Sequence, residues 1–394
     1  MGTNHLNHKF NFDREIDREA TDSLKYEARQ DVFGRADVIP LWVADMDFAA
    51  PLAVSHALAE RAAHPIYGYT SYPDSLYESL ISWLKRRHSW DVQREWIVMC
   101  PGVVPSLHAA VMAFAKPGES VIVQPPVYFP FFSAVTNTGR QLIENPLRLE
   151  NNCYTIDFDQ LEQCAANASM LLLCSPHNPV GRVWRKDELE QLLQIAQKHD
   201  LVIFSDEIHA DLIYPDCKHH MLATLSGHPN NIVTAVAPSK TFNIPGLNLS
   251  ALIIPDAANR SAVTAAFGTL HVSAANPFSI VAFEAAYREG EAWLDALLAY
   301  LKETRDFVAG YLTANLPQIH LIKPEGTYLL WLDCRSLGMN DAQLKHFFVH
   351  EAGVGLSLGI LFGEAGSGFM RMNIGAPRRV IASALDNIVK ALVG

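Results

Sequence analysis

The chain has 394 residues, 49% of them hydrophobic, with 22 glycines, 22 prolines and a formal net charge of -11. That length allows two or three domains around an ample core, and the ordinary Gly and Pro content excludes a disordered or collagen-like chain. With 42 acidic residues against 31 basic ones there is no cationic field for nucleic-acid phosphates or anionic lipid, so neither is expected as a partner.

No apolar run approaches the ~20 residues that span a bilayer, and residues 1–12, which include His5 and His8, do not read as a signal peptide. A cytoplasmic protein is expected. The six cysteines, at 100, 153, 164, 174, 217 and 334, form no Cys-x-x-Cys pair and read as buried free thiols, not as a disulfide or metal framework. His219 and His220 read as solvated.

In chain order, helical periodicity marks residues 52–63, 75–88, 104–115, 186–199 and 257–270. Short apolar runs lie between them at 96–100, 120–123, 170–174, 201–204, 232–236 and 251–254. Runs that are apolar on both faces suit central strands covered by helices on each side, so the pattern predicts an α/β doubly wound domain with a mostly parallel sheet. Beyond Gly290 a long helix is predicted over 291–314, then strands at 319–322, 328–332 and 369–373 and a helix at 341–351. This predicts a smaller α+β domain. The expected division is a large domain over 48–289 and a small one over 290–394, joined by an N-terminal segment, 1–47.

The chemistry-bearing feature is Ser239-Lys240-Thr241-Phe242-Asn243-Ile244-Pro245-Gly246, directly after an apolar run. A lysine held past a buried strand is partly desolvated, which lowers its pKa and frees an amine for Schiff-base formation. Asp206 also ends an apolar run, and a carboxylate there can keep a pyridine nitrogen protonated. Asn178, set between Pro176 and Pro179, is positioned as a donor to a phenolic oxygen. Cys100-Pro101-Gly102-Val103-Val104 joins a strand to a helix, whose free amides make a phosphate seat. Each feature alone is weak, but all four stand at strand ends opening into one crevice.

Together they resemble the fold-type I pyridoxal-phosphate enzymes, the aspartate aminotransferase superfamily, across nearly the whole chain. Leu41-Trp42-Val43-Ala44-Asp45-Met46-Asp47-Phe48 and Ser205-Asp206-Glu207-Ile208-His209 further resemble cystathionine β-lyases of the MalY/PatB type. The resemblance implies pyridoxal 5'-phosphate on Lys240, with Asp206 on the ring nitrogen, Asn178 on the phenolic oxygen, Tyr128 on the ring face and His209 nearby. Gly102, Val103, Val104 and Ser239 match the phosphate site. Tyr69 matches a tyrosine that reaches the neighbouring subunit's phosphate, which implies a homodimer. Arg371 matches the clamp on the substrate α-carboxylate, a role its bidentate fork suits. Ala44, Asn178 and Tyr128 are expected to line the substrate beside it.

Two residues depart from the common aminotransferase pattern: Asn248 stands where many have a phosphate-binding Arg, and His209 where many have Tyr. Tyr26, where the lyase group often has Trp, reads as structural. Trp42, Asp45 and Asp47 can also be read as a polar corner capping the next helix over a packed aromatic. The implied reaction is β-elimination from an S-substituted L-cysteine, with Lys240 as general base, giving a thiol, pyruvate and ammonia. The alternatives are transamination and, from a different class, a regulatory protein on this scaffold. Residues 273–279 are a further candidate to reach across a dimer.

Overall fold

In the computed structural model, residues 10–227, 229–272 and 275–393 are described. His5, His8 and, within the 273–279 segment, residues 273 and 274 lie outside them. The central sheet has seven strands, in the spatial order Ile97–Cys100, Ser250–Ile253, Ile232–Val236, Val202–Asp206, Met170–Cys174, Ser120–Val123 and Gln141–Glu144. Only Ser250–Ile253 runs antiparallel to its neighbours; the other pairings are parallel. Met170–Cys174 and Ile232–Val236 are buried at every position, as strands covered on both faces must be. The expected doubly wound, mostly parallel sheet is what the chain forms.

All six of the expected central runs are strands, shifted by at most two residues at either end. The edge strand Gln141–Glu144 is not among them, because Gln141 and Glu144 are exposed and only Leu142 and Ile143 are partly covered. The helix expected at 104–115 runs over Val103–Phe114, which makes Gly102 its N-cap. Helices Pro277–Glu289 and Arg378–Val393 are additional to those read from sequence.

After the 25-residue helix Glu291–Asn315, a second, antiparallel sheet runs His320–Leu321, Leu329–Asp333, Phe369–Asn373, Ser357–Leu358. Near the start of the chain, Ile39–Pro40 pairs in parallel with Val354–Gly355. The C-terminal ends of the parallel strands of the central sheet all lie at one edge. Antiparallel Ser250–Ile253 begins at that same edge, where Ser250 pairs with Cys100.

Three local expectations are corrected. Asp45 and Asp47 do not cap the following helix Leu52–Ala63, whose N-cap is Pro51. They hold Arg18 at 2.7 Å each, and Asp47 also holds the wholly buried Lys25 at 2.8 Å. Trp42 is packed edge-on to Phe33 and donates its indole N–H to the Lys25 carbonyl. His219 is not solvated: its side chain is buried and paired with Glu207 at 2.8 Å, because Glu207 could not be buried without a donor. Of the cysteines only Cys100, Cys174 and Cys334 are fully buried, although all six are free thiols. Tyr26 is half-buried between the guanidinium groups of Arg18 and Arg29.

The Lys25–Asp47 pair gives a stability test. Asp47→Ala leaves a buried ammonium without its closest partner, and is expected to cost about 3 kcal/mol in denaturant unfolding. A loss below about 1 kcal/mol would show that Asp45 alone satisfies Lys25.

Candidate active site

The strand ends at the shared edge surround a cavity of about 620 Å³. Its lining includes Gly102, Val103, Val104, Tyr128, Asp206, Ser239 and Lys240, seven of the residues singled out from sequence. Asn248, Ser250 and Asn276 line it as well.

Gly102, at φ 143°, caps helix Val103–Phe114 without a side chain to occupy the helix start, and Pro105 carries no amide hydrogen. The amides of Val103 and Val104 are therefore the open donors there, which suits an anion. Lys240 lies in the four-residue helix Pro238–Thr241, and its amine donates to the Ala44 carbonyl at 2.7 Å. Burial lowers its pKa to about 8, helped by the charge of Arg371 and opposed by Asp45 and Asp206. Asp206 ends its strand with its carboxyl pushed up to about 7 by burial, against the Ile208 amide and the charge of Lys240.

Arg371 is buried at 5% exposure on strand Phe369–Asn373. Its guanidinium donates to Asn178 Oδ1 at 3.1 Å, to the Trp42 carbonyl at 2.7 Å and to Ser357 Oγ at 3.2 Å, and packs over the Phe362 ring. Its Nε has no partner. Among the described residues no carboxylate pairs with it. Burial brings its pKa down to about 10, with only the Tyr128 and Tyr328 hydroxyls opposing. A buried cation with neutral acceptors alone is electrostatically incomplete and calls for an anion.

Asn178 is fixed by its backbone: its amide points at Cys174 Sγ and its carbonyl accepts from the Tyr128 amide at 3.1 Å. With Oδ1 taken by Arg371, the Nδ2 group is its remaining donor. His209 does not line the cavity; it is buried, its Nδ1 is unpartnered, and its ring stands edge-on to Tyr328 at 6.2 Å. Burial, with the charges of Lys240 and Arg371, brings its pKa down to about 3, so the imidazole is neutral. Ala44, Asn178, Arg371 and Tyr69 are absent from the lining as well; Ala44 meets Lys240 and Asn178 meets Arg371 through the hydrogen bonds above, whereas Tyr69 is fully exposed.

Several contributors have no motif in the sequence. The Tyr328 hydroxyl donates to the Ala44 carbonyl at 2.9 Å, so it shares the acceptor used by Lys240. Thr327 before it is buried at φ 68°, a strained setting for a β-branched residue. Its amide is held by the Leu212 carbonyl at 2.6 Å. Asn243 ties the Lys240 loop to the 46–48 backbone, accepting from the Met46 amide and donating to the Met46 and Phe48 carbonyls, each at 2.8 Å. Asn373 donates to the Val43 and Asp45 carbonyls at 2.6 Å. The unusual run Gly326-Thr327-Tyr328, with Gly326 packed against Leu212, was the available signal for Tyr328.

The class I and II aminotransferase model matches residues 36–388. The chain belongs to that family. It is 41% identical over 385 residues to cystathionine β-lyase PatB of Bacillus subtilis, covering 97% of this chain and 100% of that protein. Cystalysin from Treponema denticola, whose structure contains pyridoxal 5'-phosphate, superposes with a TM-score of 0.93 at 38% identity, over 98% of this chain and 99% of that one. The pyridoxal-phosphate-bound C–S lyase of Staphylococcus hominis gives 0.90 at 34% identity, again over 98% and 99%.

The electrostatics of Lys240 are open to direct titration. In the cofactor-free protein its amine is expected to be acylated with a midpoint at about pH 8, followed by mass spectrometry. Arg371→Gln removes a repelling cation and raises the midpoint, whereas Asp206→Asn removes an attracting anion and lowers it. A midpoint at the ordinary lysine value of 10.5 would mean that the amine is solvated.

Proposed function

We propose that the protein is a pyridoxal-phosphate-dependent carbon-sulfur β-lyase that cleaves L-cystathionine or related S-substituted L-cysteines to a thiol, pyruvate and ammonia. The observation that carries the reaction class is full-length similarity to C–S lyases around a cavity lined by Gly102, Asp206 and Lys240, three of the four expected strand-end groups. The amino-acid substrate class is supported by Arg371, the buried guanidinium without a carboxylate.

The residues present fit the cofactor. The open amides of Val103 and Val104, with Gly102 and Ser239, would hold its phosphate. Asp206 would hold the ring nitrogen, Asn178 Nδ2 the phenolic oxygen and Tyr128 the ring face, with the neutral His209 behind. A carboxyl raised to about 7 is basic enough to keep a proton on a ring nitrogen. Bound to Lys240, pyridoxal phosphate supplies an electron sink for negative charge at the substrate Cα.

The chain's own groups supply the rest. Arg371 grips the α-carboxylate, which restores its missing counter-charge and fixes the rotation about Cα. Lys240, neutral above about pH 8, takes the α-proton once its amine is released. The electron pair left at Cα expels the thiolate from Cβ, and water then releases ammonia and pyruvate. The Ala44 carbonyl, with its hydrogen bond from Tyr328, is the acceptor that parks the Lys240 amine between these roles.

Residues 48–289 are assigned as the cofactor domain, and 290–394 with the 1–47 segment as the small domain, so that Arg371 reaches the cavity from the small sheet. The exposed Tyr69 supports a homodimer in which each Tyr69 completes the other subunit's phosphate site. Six free cysteines support a reducing, cytoplasmic setting. No helix among the described residues is long and apolar enough to cross a membrane.

Purified protein with L-cystathionine and no 2-oxo acid should release thiol and pyruvate in equal amounts, and Lys240→Ala should release neither. Turnover that needs an added 2-oxo acid would make transamination the reaction instead. For the shared site, Lys240→Ala mixed with a weakly active Tyr69→Ala should recover activity, since a mixed dimer holds one intact site. If mixing recovers nothing, each subunit works alone.

A further inference from the structure

One cluster of buried titratable groups stands outside the cavity and takes no part in the chemistry described above. Asp211 lies five residues after Asp206, and its side chain is 7% exposed. Its Oδ1 accepts from Trp83 Nε1 at 3.1 Å and from His88 Nε2 at 2.8 Å; its Oδ2 accepts from Thr241 Oγ1 at 2.9 Å. Trp83 and His88 belong to helix Asp74–His88, and Thr241 follows Lys240 directly. One carboxylate therefore joins three elements: the loop after Asp206, a covering helix and the turn that carries the amine. Burial pushes its pKa up, but the His88 and Thr241 hydrogen bonds and the Arg87 charge outweigh that, so it stays ionised.

Glu207 repeats the arrangement beside Asp206, accepting from Ser205 Oγ at 2.8 Å, His219 Nε2 at 2.8 Å and the Leu222 amide at 3.1 Å. The His88 and His219 rings meet edge to face at 6.1 Å.

The Lys240 turn needs such an anchor. Pro238–Thr241 is a single turn, too short to hold its own orientation, and its backbone ties are those of Phe242 to Pro238 and Ile244 to Ser239. Packing of Phe242 against Trp83 resists translation but is non-directional, and the Asn243 bonds to the 46–48 backbone act two residues beyond Thr241, outside the turn itself. The Thr241 hydroxyl bond to Asp211 fixes the rotation of the turn. A lysine amine at the end of four methylenes magnifies any rotation of its Cα, and catalysis is sensitive to ångström misplacement.

We propose that Asp211 is a positioning residue for the reaction: through Thr241 it fixes the rotation of the turn bearing Lys240, and holds that turn in register with Asp206. This rests on Lys240 being the cofactor-bearing lysine. The first readout is the rate at which the visible band of bound pyridoxal phosphate grows when the cofactor is mixed with cofactor-free protein. It reports attack by the Lys240 amine whatever the substrate or reaction. The second is the split between kcat and KM.

Thr241→Val, which keeps the shape and removes the hydroxyl, should slow band growth and kcat by about tenfold and leave KM unchanged. Asp211→Ala should do the same, and the double variant should be no slower than Asp211→Ala alone. Thr241→Ser should restore both rates. If Thr241→Val has wild-type band growth and kcat per folded protein, Asp211 contributes stability only and the proposal is overturned. Absence of any band in the wild-type protein would instead overturn the cofactor reading on which it rests.

Discussion

Two cations donating to neutral carbonyls, Arg371 buried and Lys240 half-buried at the cavity wall, organise this molecule. Lys240 and Arg371 come from different sheets, and each donates to a carbonyl of one irregular segment, Ala44 for the amine and Trp42 for the guanidinium. The net charge of -11 gives a mild global attraction for cations and none for anions, so in the proposed function an anionic cofactor and a carboxylate would have to be held by these local charges and the Gly102 helix start. Leaving Arg371 without a counter-ion costs stability, as strained or unsatisfied groups at functional sites commonly do. In the proposed function a substrate carboxylate would remove that cost, which would convert a defect of the free protein into affinity.

Such a device works only if the acceptor segment is immobile. Asn243 bonds to it from the Lys240 loop and Asn373 from the small sheet, each with two carbonyls of the 43–48 backbone as acceptors. On its outer side Arg18 and Lys25 hold Asp45 and Asp47. The segment is thus fastened to both sheets, and it sets the distance between the two cations. Asp45 also faces Lys240 electrostatically, so the same salt-bridge cluster that secures the segment limits how far burial lowers the pKa of the amine.

The central strands were legible because burial on both faces forces runs such as Met170–Cys174 to be apolar throughout. The helix Lys186–Lys198 carries a clear period, with Leu189, Leu192, Ile195 and Ala196 buried on one face. The edge strand Gln141–Glu144 was not, since half its residues face water. In the site, Lys240, Asp206, Asn178 and Gly102 were legible because each ends a strand or follows one within four residues. Arg371 became legible through resemblance and not through local pattern, as its strand looks like any other buried strand. Tyr328, Asn243, Asn373 and Asp211 act through contacts with chain segments 30 or more residues away, which no local spacing encodes. Asp45 and Asp47 misled for the same reason: their partners, Arg18 and Lys25, precede them by some twenty residues or more, in a region with little periodicity.

The central claim is that Arg371 is an incomplete ion pair awaiting a carboxylate. It is tested most directly by calorimetric binding to cofactor-loaded Lys240→Ala protein, comparing L-cystathionine with the amine analogue that lacks the α-carboxylate. The expected result is at least about 100-fold tighter binding of the carboxylate-bearing ligand, with the difference lost in an added Arg371→Ala substitution. Equal affinity for the two ligands, or a difference that survives removal of Arg371, would contradict it.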